Sequence, residues 1–312
     1  FGGRDRMDER YDMIRFVRDK RYKLVINYMP FKPYLQYTNT AQKSPVQQEL
    51  NRLAREGTLT PGAAWVQQQT KPVLELYDLD SDPYELENLA ATEGENSGSI
   101  LYTLLQEHMD WFLGIRDLGL IPEAELNRLE KKYEYRHLII PSVEKNIPEF
   151  ARMLHGLIPF NVGPPLSEYP ENADLKKLYE SLLATWKRAI KSESPAMRYW
   201  AVRGLARFGR PYMVLSDAME DDSPVVRIAA AQALVGNRRF SYGATRILTT
   251  ELKSDDEWVR LQAATAIDDI GELARPAIPA LKEALNDTHN KYVVRVANRT
   301  LNVLEGTDNQ VR

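Results

Sequence analysis

A repeated dipeptide in the C-terminal half is the sequence feature that most limits the folds open to this chain. Met197-Arg198, Val226-Arg227, Val259-Arg260 and Val294-Arg295 each open an apolar helical stretch, at spacings of 29, 33 and 35 residues. Helix-starting signals such as Asp222-Ser223-Pro224 come just before these dipeptides. Repeats of this period, with two helices in each unit, predict an α-solenoid.

These units resemble HEAT repeats of a short, alanine-rich type. Ala201 and Leu205 follow the first repeat arginine at offsets that the next two units keep, with isoleucine replacing leucine in the third. In the last unit Asn298 stands where the small alanine belongs, as in a terminal unit that needs a polar outer face. The resemblance predicts an all-α HEAT-like solenoid over residues 173–306, followed by a tail over residues 307–312.

The first 120 residues have a different pattern, in which strand-like and helical segments are mixed. Runs 11–18 and 22–28, separated by a polar turn, predict a β-hairpin. A third strand pattern covers 75–79, and Val46–Glu56 has the pattern of a polar surface helix. The apolar stripe of Ile100–Arg116 predicts a helix packed on the sheet, so this segment is expected to be an α+β domain.

Several motifs follow one another in that domain in a recognisable order. They are Ile14–Lys23, Asn27–Pro30, Glu75–Glu85 and Asn88–Ala90. Their order resembles the C-terminal subdomain of the sulfatase family, the arylsulfatase-like enzymes of the alkaline-phosphatase superfamily, and is most similar to the heparan N-sulfatase-like branch. The resemblance covers residues 1–125 and implies a small antiparallel sheet plus helices.

Residues 126–172 separate the two predicted domains. Frequent prolines interrupt this stretch, which predicts a transitional segment and linker, with Gly163-Pro164-Pro165 as the best boundary. A chain of 312 residues is also long enough for two domains of about 150 residues each. The first residue is Phe1 and no signal-peptide pattern follows it, so we expect the sequence to be a piece of a longer protein.

Composition excludes several classes of function. Lys and Arg number 41 against 44 Asp and Glu, a net charge of −3, so no nucleic-acid partner is predicted. No apolar run approaches the roughly 18 residues that a membrane span requires. The chain has no Cys, which excludes disulfides, thiolate metal sites and a cysteine nucleophile.

The family resemblance also implies chemistry that this chain lacks. Sulfatases use a formylglycine made from the Cys or Ser of a C/S-x-P-x-R motif, together with a bound calcium ion. Neither version of the motif occurs here, so both groups are expected in an upstream catalytic domain. We therefore expect no catalytic residue, cofactor or metal site in this chain, and no hydrolysis of sulfate esters by it alone. The resemblance implies a sulfated saccharide as substrate and a periplasmic or secreted location.

Arg4 and Arg6 are the candidate substrate-binding residues. They precede the hairpin in a stretch expected to be a loop, within a segment rich in arginine and tyrosine. Arginine forks bind tetrahedral oxyanions well, which suits a sulfated ligand. The alternative is a purely structural hairpin, in which the arginines pair with neighbouring Asp and Glu.

Two further patterns favour structure over chemistry. Asp78-x-Asp80-x-Asp82 begins like a calcium loop but continues with Pro83 instead of Gly, which favours a turn. His108 lies on the apolar stripe of its helix and is expected to pack there. No two of the four histidines are three or four residues apart, so no helical metal site is predicted.

Two non-catalytic interpretations remain open for the chain acting alone. In one, the HEAT-like repeats are a protein-interaction module, since solenoids present extended binding surfaces. In the other, the chain binds a sulfated glycan without cleaving it. The repeat arginines, among them Arg198, are expected to pair with acids at neighbouring turns such as Asp221, Asp222, Asp255 and Asp256.

Overall fold

The computed structural model describes most of the chain. The described residues are 1–91, 95–135, 139, 173–207 and 212–311. Most of the predicted linker over residues 126–172, including its proposed boundary at Gly163, lies outside them. Contacts group the chain into two compact units, of which one contains Phe1–Gly119 and the other contains Lys177–Arg312.

A four-stranded antiparallel sheet organises the first unit. Its strands are β1 (Gly2–Met7), β2 (Arg10–Arg18), β3 (Tyr22–Asn27) and β4 (Leu74–Asp78), and they lie in that order across the sheet. The predicted hairpin is confirmed as β2 and β3, whose register pairs Phe16 with Val25. The α+β prediction, a small antiparallel sheet plus helices, is confirmed at this level.

The edge strand β1 corrects the prediction of a loop before the hairpin. Two glycines and three charged residues in six positions give this segment little strand propensity of its own. It becomes a strand because it pairs along β2, from Gly2 opposite Phe16 to Met7 opposite Arg10. An edge position tolerates such a polar sequence because one side of the strand faces solvent.

Local side-chain chemistry explains the hairpin turn. Asp19 Oδ1 accepts hydrogen bonds from the backbone N–H groups of Arg21 (2.7 Å) and Tyr22 (2.6 Å). These bonds satisfy the backbone where β2 ends and β3 begins. Beyond the turn, Leu24 and Ile26 are fully buried, so the alternation of β3 places its apolar residues in the core.

Four helices complete the first unit. They are α1 (Asn39–Gln42), α2 (Pro45–Glu56), α3 (Pro61–Val66) and α4 (Glu95–Ile115). Helix α2 ends as predicted, at Gly57 in the left-handed region (φ 69°). Helix α4 packs on β2 and β3 and buries Leu104, His108 and Phe112. The predicted apolar stripe is thereby confirmed, and His108 is a packed core residue.

The second unit is helical in the part that the structure describes. Its helices are α5 (Glu123–Tyr133), α6 (Ala173–Ala189), α7 (Pro195–Arg207), α8 (Tyr212–Asp217), α9 (Pro224–Leu234), α10 (Ser241–Glu251), α11 (Glu257–Asp269), α12 (Ile278–Ala284) and α13 (Lys291–Glu305). Helices α7, α9, α11 and α13 pack side by side in one layer. Helices α8, α10 and α12 alternate with them along the chain, as the predicted two-helix units require.

Small residues let these helices approach closely. Ala229, Ala230 and Ala231 of α9 are completely buried, so the backbones in the layer pack without large intervening side chains. Gly204 of α7 is an extreme case, because a Cβ atom there would lie 2.5 Å from the buried ring of Trp186. The alanine and glycine content of the repeats is therefore set by the spacing of the helices.

The repeat arginines tie successive turns together. Arg198 Nη1 donates to Ser192 O (2.9 Å) in the turn before its own helix, while its Nε donates to Asp221 Oδ2 (2.7 Å). Arg227 repeats this arrangement with Asp221 O (2.7 Å) and Glu251 Oε1 (2.7 Å). Each arginine thus connects two consecutive turns, and Asp221 receives one arginine on its carboxylate and the next on its carbonyl.

The third arginine follows the same rule. Arg260 donates to Ser254 O (2.8 Å) and to Asp287 Oδ2 (2.6 Å). The predicted pairing with turn acids is confirmed for Asp221 and Asp222, both of which contact Arg198. The carboxylates that pair with Arg227 and Arg260 are Glu251 and Asp287, so the prediction of Asp255 and Asp256 as partners is wrong. Each of these arginines donates to a carboxylate in the following turn and only to backbone carbonyls in the turn before its own helix.

The C-terminal tail folds back on the last helix. Asn298 Nδ2 and Asn302 Nδ2 donate to Asn309 O at 2.7 and 2.9 Å. Asn302 Oδ1 accepts from Asn309 N at 2.9 Å. Asn298 departs from the alanine of the earlier units because its amide binds this returning chain.

Candidate functional site

The two candidate arginines lie in strand β1, not in a loop. Arg4 Nη2 is 3.0 Å from Asp12 Oδ2 on β2. The Arg6 guanidinium lies 5.0 Å from the ring centroid of Tyr11. Residues two positions apart on a strand point to the same face, but Arg4 and Arg6 contact different residues of β2, Asp12 and Tyr11.

An irregularity in the pairing of β1 with β2 separates them. Arg4 lies opposite Ile14, and Arg6 lies opposite Tyr11. Two steps along β1 therefore match three steps along β2, which is the signature of a β-bulge. The extra residue of this bulge lies on β2, in the stretch from Tyr11 to Ile14 that contains Asp12.

Asp12 is the centre of a cationic cluster, which we call the Asp12 triad and define as Arg4, Asp12 and Lys71. Asp12 Oδ2 accepts from Lys71 Nζ at 2.5 Å and from Arg4 Nη2 at 3.0 Å. The side chains of Lys71 and Asp12 are 0% and 3% exposed, whereas that of Arg4 is 45% exposed. One carboxylate thus faces two cations, and the triad carries a net charge of +1.

Two connecting segments position Lys71 and Gln36 around Asp12. Lys71 stands just before β4, where its backbone N–H donates to Pro30 O at 2.7 Å. Gln36, from the irregular stretch after β3, donates to Asp12 Oδ2 at 3.3 Å. The site is therefore assembled from β1, β2 and two connecting segments that are distant in sequence.

The electrostatics of Lys71 reflect its surroundings. Burial lowers the pKa of the Lys71 ammonium, and the charges of Arg4 and Lys32 lower it further, while Asp12 acts in the opposite direction. The net shift of the Lys71 pKa is downward because burial outweighs the attraction of Asp12.

Aromatic rings lie next to the triad. Tyr34 and Trp65 pack with their ring centroids 4.3 Å apart. Lys71 Nζ is 6.0 Å from the Tyr34 centroid, and both rings are only half-buried. This combination provides apolar ring faces beside cationic groups, which suits a ligand with both rings and negative charges.

A buried carboxylate on β4, which sequence reasoning did not identify, supports the same region. Glu75 is 2% exposed. It accepts from Asn27 Nδ2 and from the Tyr77 hydroxyl, both at 2.5 Å. Asn27 Nδ2 also donates to Pro72 O at 2.8 Å, next to Lys71. These bonds hold β3, β4 and the Lys71 loop together, so Glu75 is a structural residue of the site.

Other arginines of the sheet behave as the structural alternative expected. Arg15 is 3% exposed and binds Asp117 at 2.6 Å and Asp5 at 2.7 Å. Arg21 binds Asp78 at 2.6 Å. Pairing with neighbouring acids therefore accounts for these two residues, and Arg4 differs from them because it shares its acid with a second cation.

The Asp78–Asp82 segment uses its carboxylates within a turn. Asp78 pairs with Arg21, and Asp82 Oδ2 accepts from the backbone N–H groups of Leu86 (2.7 Å) and Glu87 (2.8 Å). The interpretation as a turn agrees with this geometry. Across the described residues, no group of three or more His, Asp or Glu side chains is placed to hold a metal ion.

The second unit has a groove of about 560 Å³ beside the turns before α11 and α13. Arg260, Asp287 and His289 contribute to its lining. Five acidic and three basic side chains line it. Lys131 lies 3.4 Å from Asp256, and Arg260 lies 2.6 Å from Asp287. None of the described helices has the length and apolar content needed to cross a membrane.

Comparison with known proteins finds HEAT repeats in the second unit and a partial match to a sulfatase. The family model for HEAT repeats matches residues 182–244 and 213–302, so the second unit contains HEAT repeats. The chain is 41% identical over 123 residues to the Ulvan-active sulfatase of Formosa agariphila, a span of 39% of this chain. The match covers 20% of the relative, so it aligns with about a fifth of that protein's length.

Proposed function

We propose that this chain is the C-terminal segment of a sulfatase that hydrolyses sulfate esters or N-sulfate groups of a sulfated saccharide. The observation that supports this most strongly is the 41% identity over 123 residues with a curated sulfatase. That length is close to the 125 residues whose motif order resembles the C-terminal subdomain of the family. Because the match covers only a fifth of the relative, the activity belongs to the longer parent protein.

In this proposal the first unit contributes one wall of the substrate pocket. The Asp12 triad has a net positive charge, and the side chain of Arg4 is 45% exposed, so a sulfate oxygen can reach its guanidinium. Lys71 behind it maintains the positive potential, and the rings of Tyr34 and Trp65 offer apolar faces to a sugar. Arg4 is thus the substrate-binding residue that the geometry favours, while the Arg6 guanidinium lies against the Tyr11 ring.

The nucleophile and the metal belong to the upstream catalytic domain. A formylglycine requires the Cys or Ser of a C/S-x-P-x-R motif, and the sequence contains neither version. In the proposed enzyme this segment binds and orients substrate, and the HEAT repeats add an interaction surface.

The test uses the full-length parent protein that carries this segment. We expect Arg4→Ala to raise KM for a sulfated oligosaccharide by about tenfold or more, because a charge-assisted hydrogen bond is lost. Arg4→Lys should restore part of the loss. Arg18→Ala removes an exposed arginine from the far end of β2 and is the matched control.

Two results would count against the proposal. A parent protein that hydrolyses no sulfated saccharide is not the proposed enzyme. An active parent whose Arg4→Ala variant keeps wild-type KM and kcat has its substrate pocket elsewhere. Arg6→Ala, compared in the same assay, reports whether the second candidate arginine, which contacts Tyr11, also contributes.

A further inference from the structure

The second unit contains a long stretch without acidic residues. Residues 223–250 include no Asp, Glu, Lys or His, but four arginines, Arg227, Arg238, Arg239 and Arg246. The stretch therefore has a charge of +4 in a chain whose net charge is −3. The excess of positive charge is thus confined to one stretch of the repeat sequence and is not visible in the whole-chain composition.

The four arginines differ in their contacts. Arg227 pairs with Glu251. Arg238, Arg239 and Arg246 are exposed, and within the described part of the chain none of them forms an ion pair, whereas Arg198 and Arg260 bind carboxylates of the next turns. The guanidinium groups of these three exposed arginines are thus available to a ligand.

Aromatic side chains share this surface. Tyr242 is 84% exposed at the start of α10, and Arg246 lies one helical turn further on the same face. The Arg239 guanidinium is 5.4 Å from the ring centroid of Phe240, which stacks on Tyr212 at 6.3 Å. We call this surface the arginine–tyrosine edge and define it by Arg238, Arg239, Phe240, Tyr242 and Arg246.

The loop that presents the edge is fixed by hydrogen bonds. Asn237 Oδ1 accepts from Arg239 N at 3.0 Å, and Asn237 O accepts from Ser241 N at 2.9 Å. These bonds set the path between α9 and α10, so the arginines and Tyr242 leave the same short turn. A preorganised turn reduces the entropy lost on binding.

We propose that the arginine–tyrosine edge binds a chain of sulfated saccharide, as a second contact in addition to the wall around Arg4. The choice of a sulfated saccharide rests on the proposed function. Guanidinium forks match the geometry of sulfate oxygens, and the exposed Tyr242 ring offers a flat apolar face to a sugar ring. Such an edge would hold a polymeric substrate while the parent enzyme acts on it.

The experiment measures binding of the 312-residue chain to dextran sulfate, with unsulfated dextran of equal length for comparison. We expect the Arg238→Gln/Arg239→Gln variant to bind about tenfold more weakly, because two charge-assisted contacts are lost. Tyr242→Ala should also weaken binding, and unsulfated dextran should bind poorly. All three positions are exposed, so the variants are expected to fold, which circular dichroism checks.

A matched control is available in the same unit. Lys187→Gln/Arg188→Gln removes an adjacent exposed basic pair from α6 and makes the same change in net charge. Equal weakening by this control and by the Arg238/Arg239 variant would overturn the proposal, because binding would then follow net charge alone. Polyglutamate or RNA that competes as well as dextran sulfate, with no effect of Tyr242→Ala, would also overturn it in favour of another class of polyanion.

Failure here is distinguishable from failure of the proposed function. Binding that is lost with Arg4→Ala but kept by the Arg238→Gln/Arg239→Gln variant rejects the second contact and leaves the substrate wall intact. Binding that requires the arginine–tyrosine edge, in a parent protein without sulfatase activity, rejects the enzyme and leaves a glycan-binding module.

Discussion

Lys71 Nζ and Asp12 Oδ2 lie 2.5 Å apart, and both side chains are almost completely buried. The two residues are 59 positions apart in sequence, so their contact fixes the loop before β4 against strand β2. A buried charge without its partner costs much more than an exposed one. The pair therefore matters for folding of the first unit as well as for the cationic character of the proposed site.

Breaking this pair should destabilise the first unit strongly. We expect Lys71→Met to lower its free energy of unfolding by about 3 kcal/mol, near the lower end of the range for a broken buried pair. The value is at the lower end because Arg4 still binds Asp12 at 3.0 Å. Urea denaturation followed by circular dichroism measures the change. Lys20→Met, at an exposed position, should stay within about 0.5 kcal/mol of wild type, and an equal loss in both variants would contradict the role given to Lys71.

The arginine contacts of the repeats should appear as energetic coupling. Arg260 and Asp287 are 2.6 Å apart and both are largely buried. A double-mutant cycle with Arg260→Gln and Asp287→Asn should give a coupling energy of about 1–2 kcal/mol. Arg246→Gln, at an exposed arginine on α10, serves as the comparison and should change stability little. Strictly additive effects at Arg260 and Asp287 would show that the contact contributes nothing to folding.

Acid should weaken the repeats through the same contacts. Burial alone would raise the pKa of Asp287, but hydrogen bonds from Arg260 and from the backbone N–H groups of Asn290 and His289 outweigh it, so this pKa lies below its ordinary value of 3.8. A carboxyl whose pKa is lowered by folding stabilises the fold above its unfolded pKa and loses that contribution as pH falls through the folded value. Thermal melts should therefore show Tm of the second unit falling below about pH 4. Asp287→Asn should flatten this dependence, whereas the exposed Asp255→Asn should not.

Gly204 should tolerate no added methyl group. Because a Cβ there would lie 2.5 Å from the Trp186 ring, we expect Gly204→Ala to destabilise the second unit by about 1–3 kcal/mol. Gly243 of α10 has open space around the same position. Gly243→Ala should be neutral or stabilising by up to about 1 kcal/mol, since alanine favours helices more than glycine does. Similar thermal melts for the two variants would contradict the close packing of α7 on Trp186.

Features that depend on local pattern could be predicted from sequence. The repeat helices and their order follow from a dipeptide period, and the end of α2 at Gly57 follows from the preference of a helix C-cap for glycine. The β2–β3 hairpin follows from two alternating runs joined by a short turn. Each of these signals lies within a few residues of the element that it predicts.

Features that depend on contacts between residues distant in sequence could not be predicted. Strand β1 exists because of its pairing with β2, and its own residues predict a loop. The Asp12 triad requires the path of the chain between β3 and β4, which no periodicity encodes, so Lys71 was not identified. The choice of Glu251 over Asp255 as the partner of Arg227 depends on how far an arginine reaches across the helix layer, which is a property of the packed repeats.

The arginine contacts also affect how the array of repeats deforms. Arg198, Arg227 and Arg260 connect every successive pair of turns from Ser192 to Asp287, so this side of the array resists stretching. The helix connections that include the arginine–tyrosine edge lie at the other ends of the same helices. When the array bends, the distances between neighbouring helix connections therefore change mainly on the side of the arginine–tyrosine edge. Such bending would let the spacing of the arginines follow the spacing of charges on a flexible polymer, with little disturbance of the packed helices.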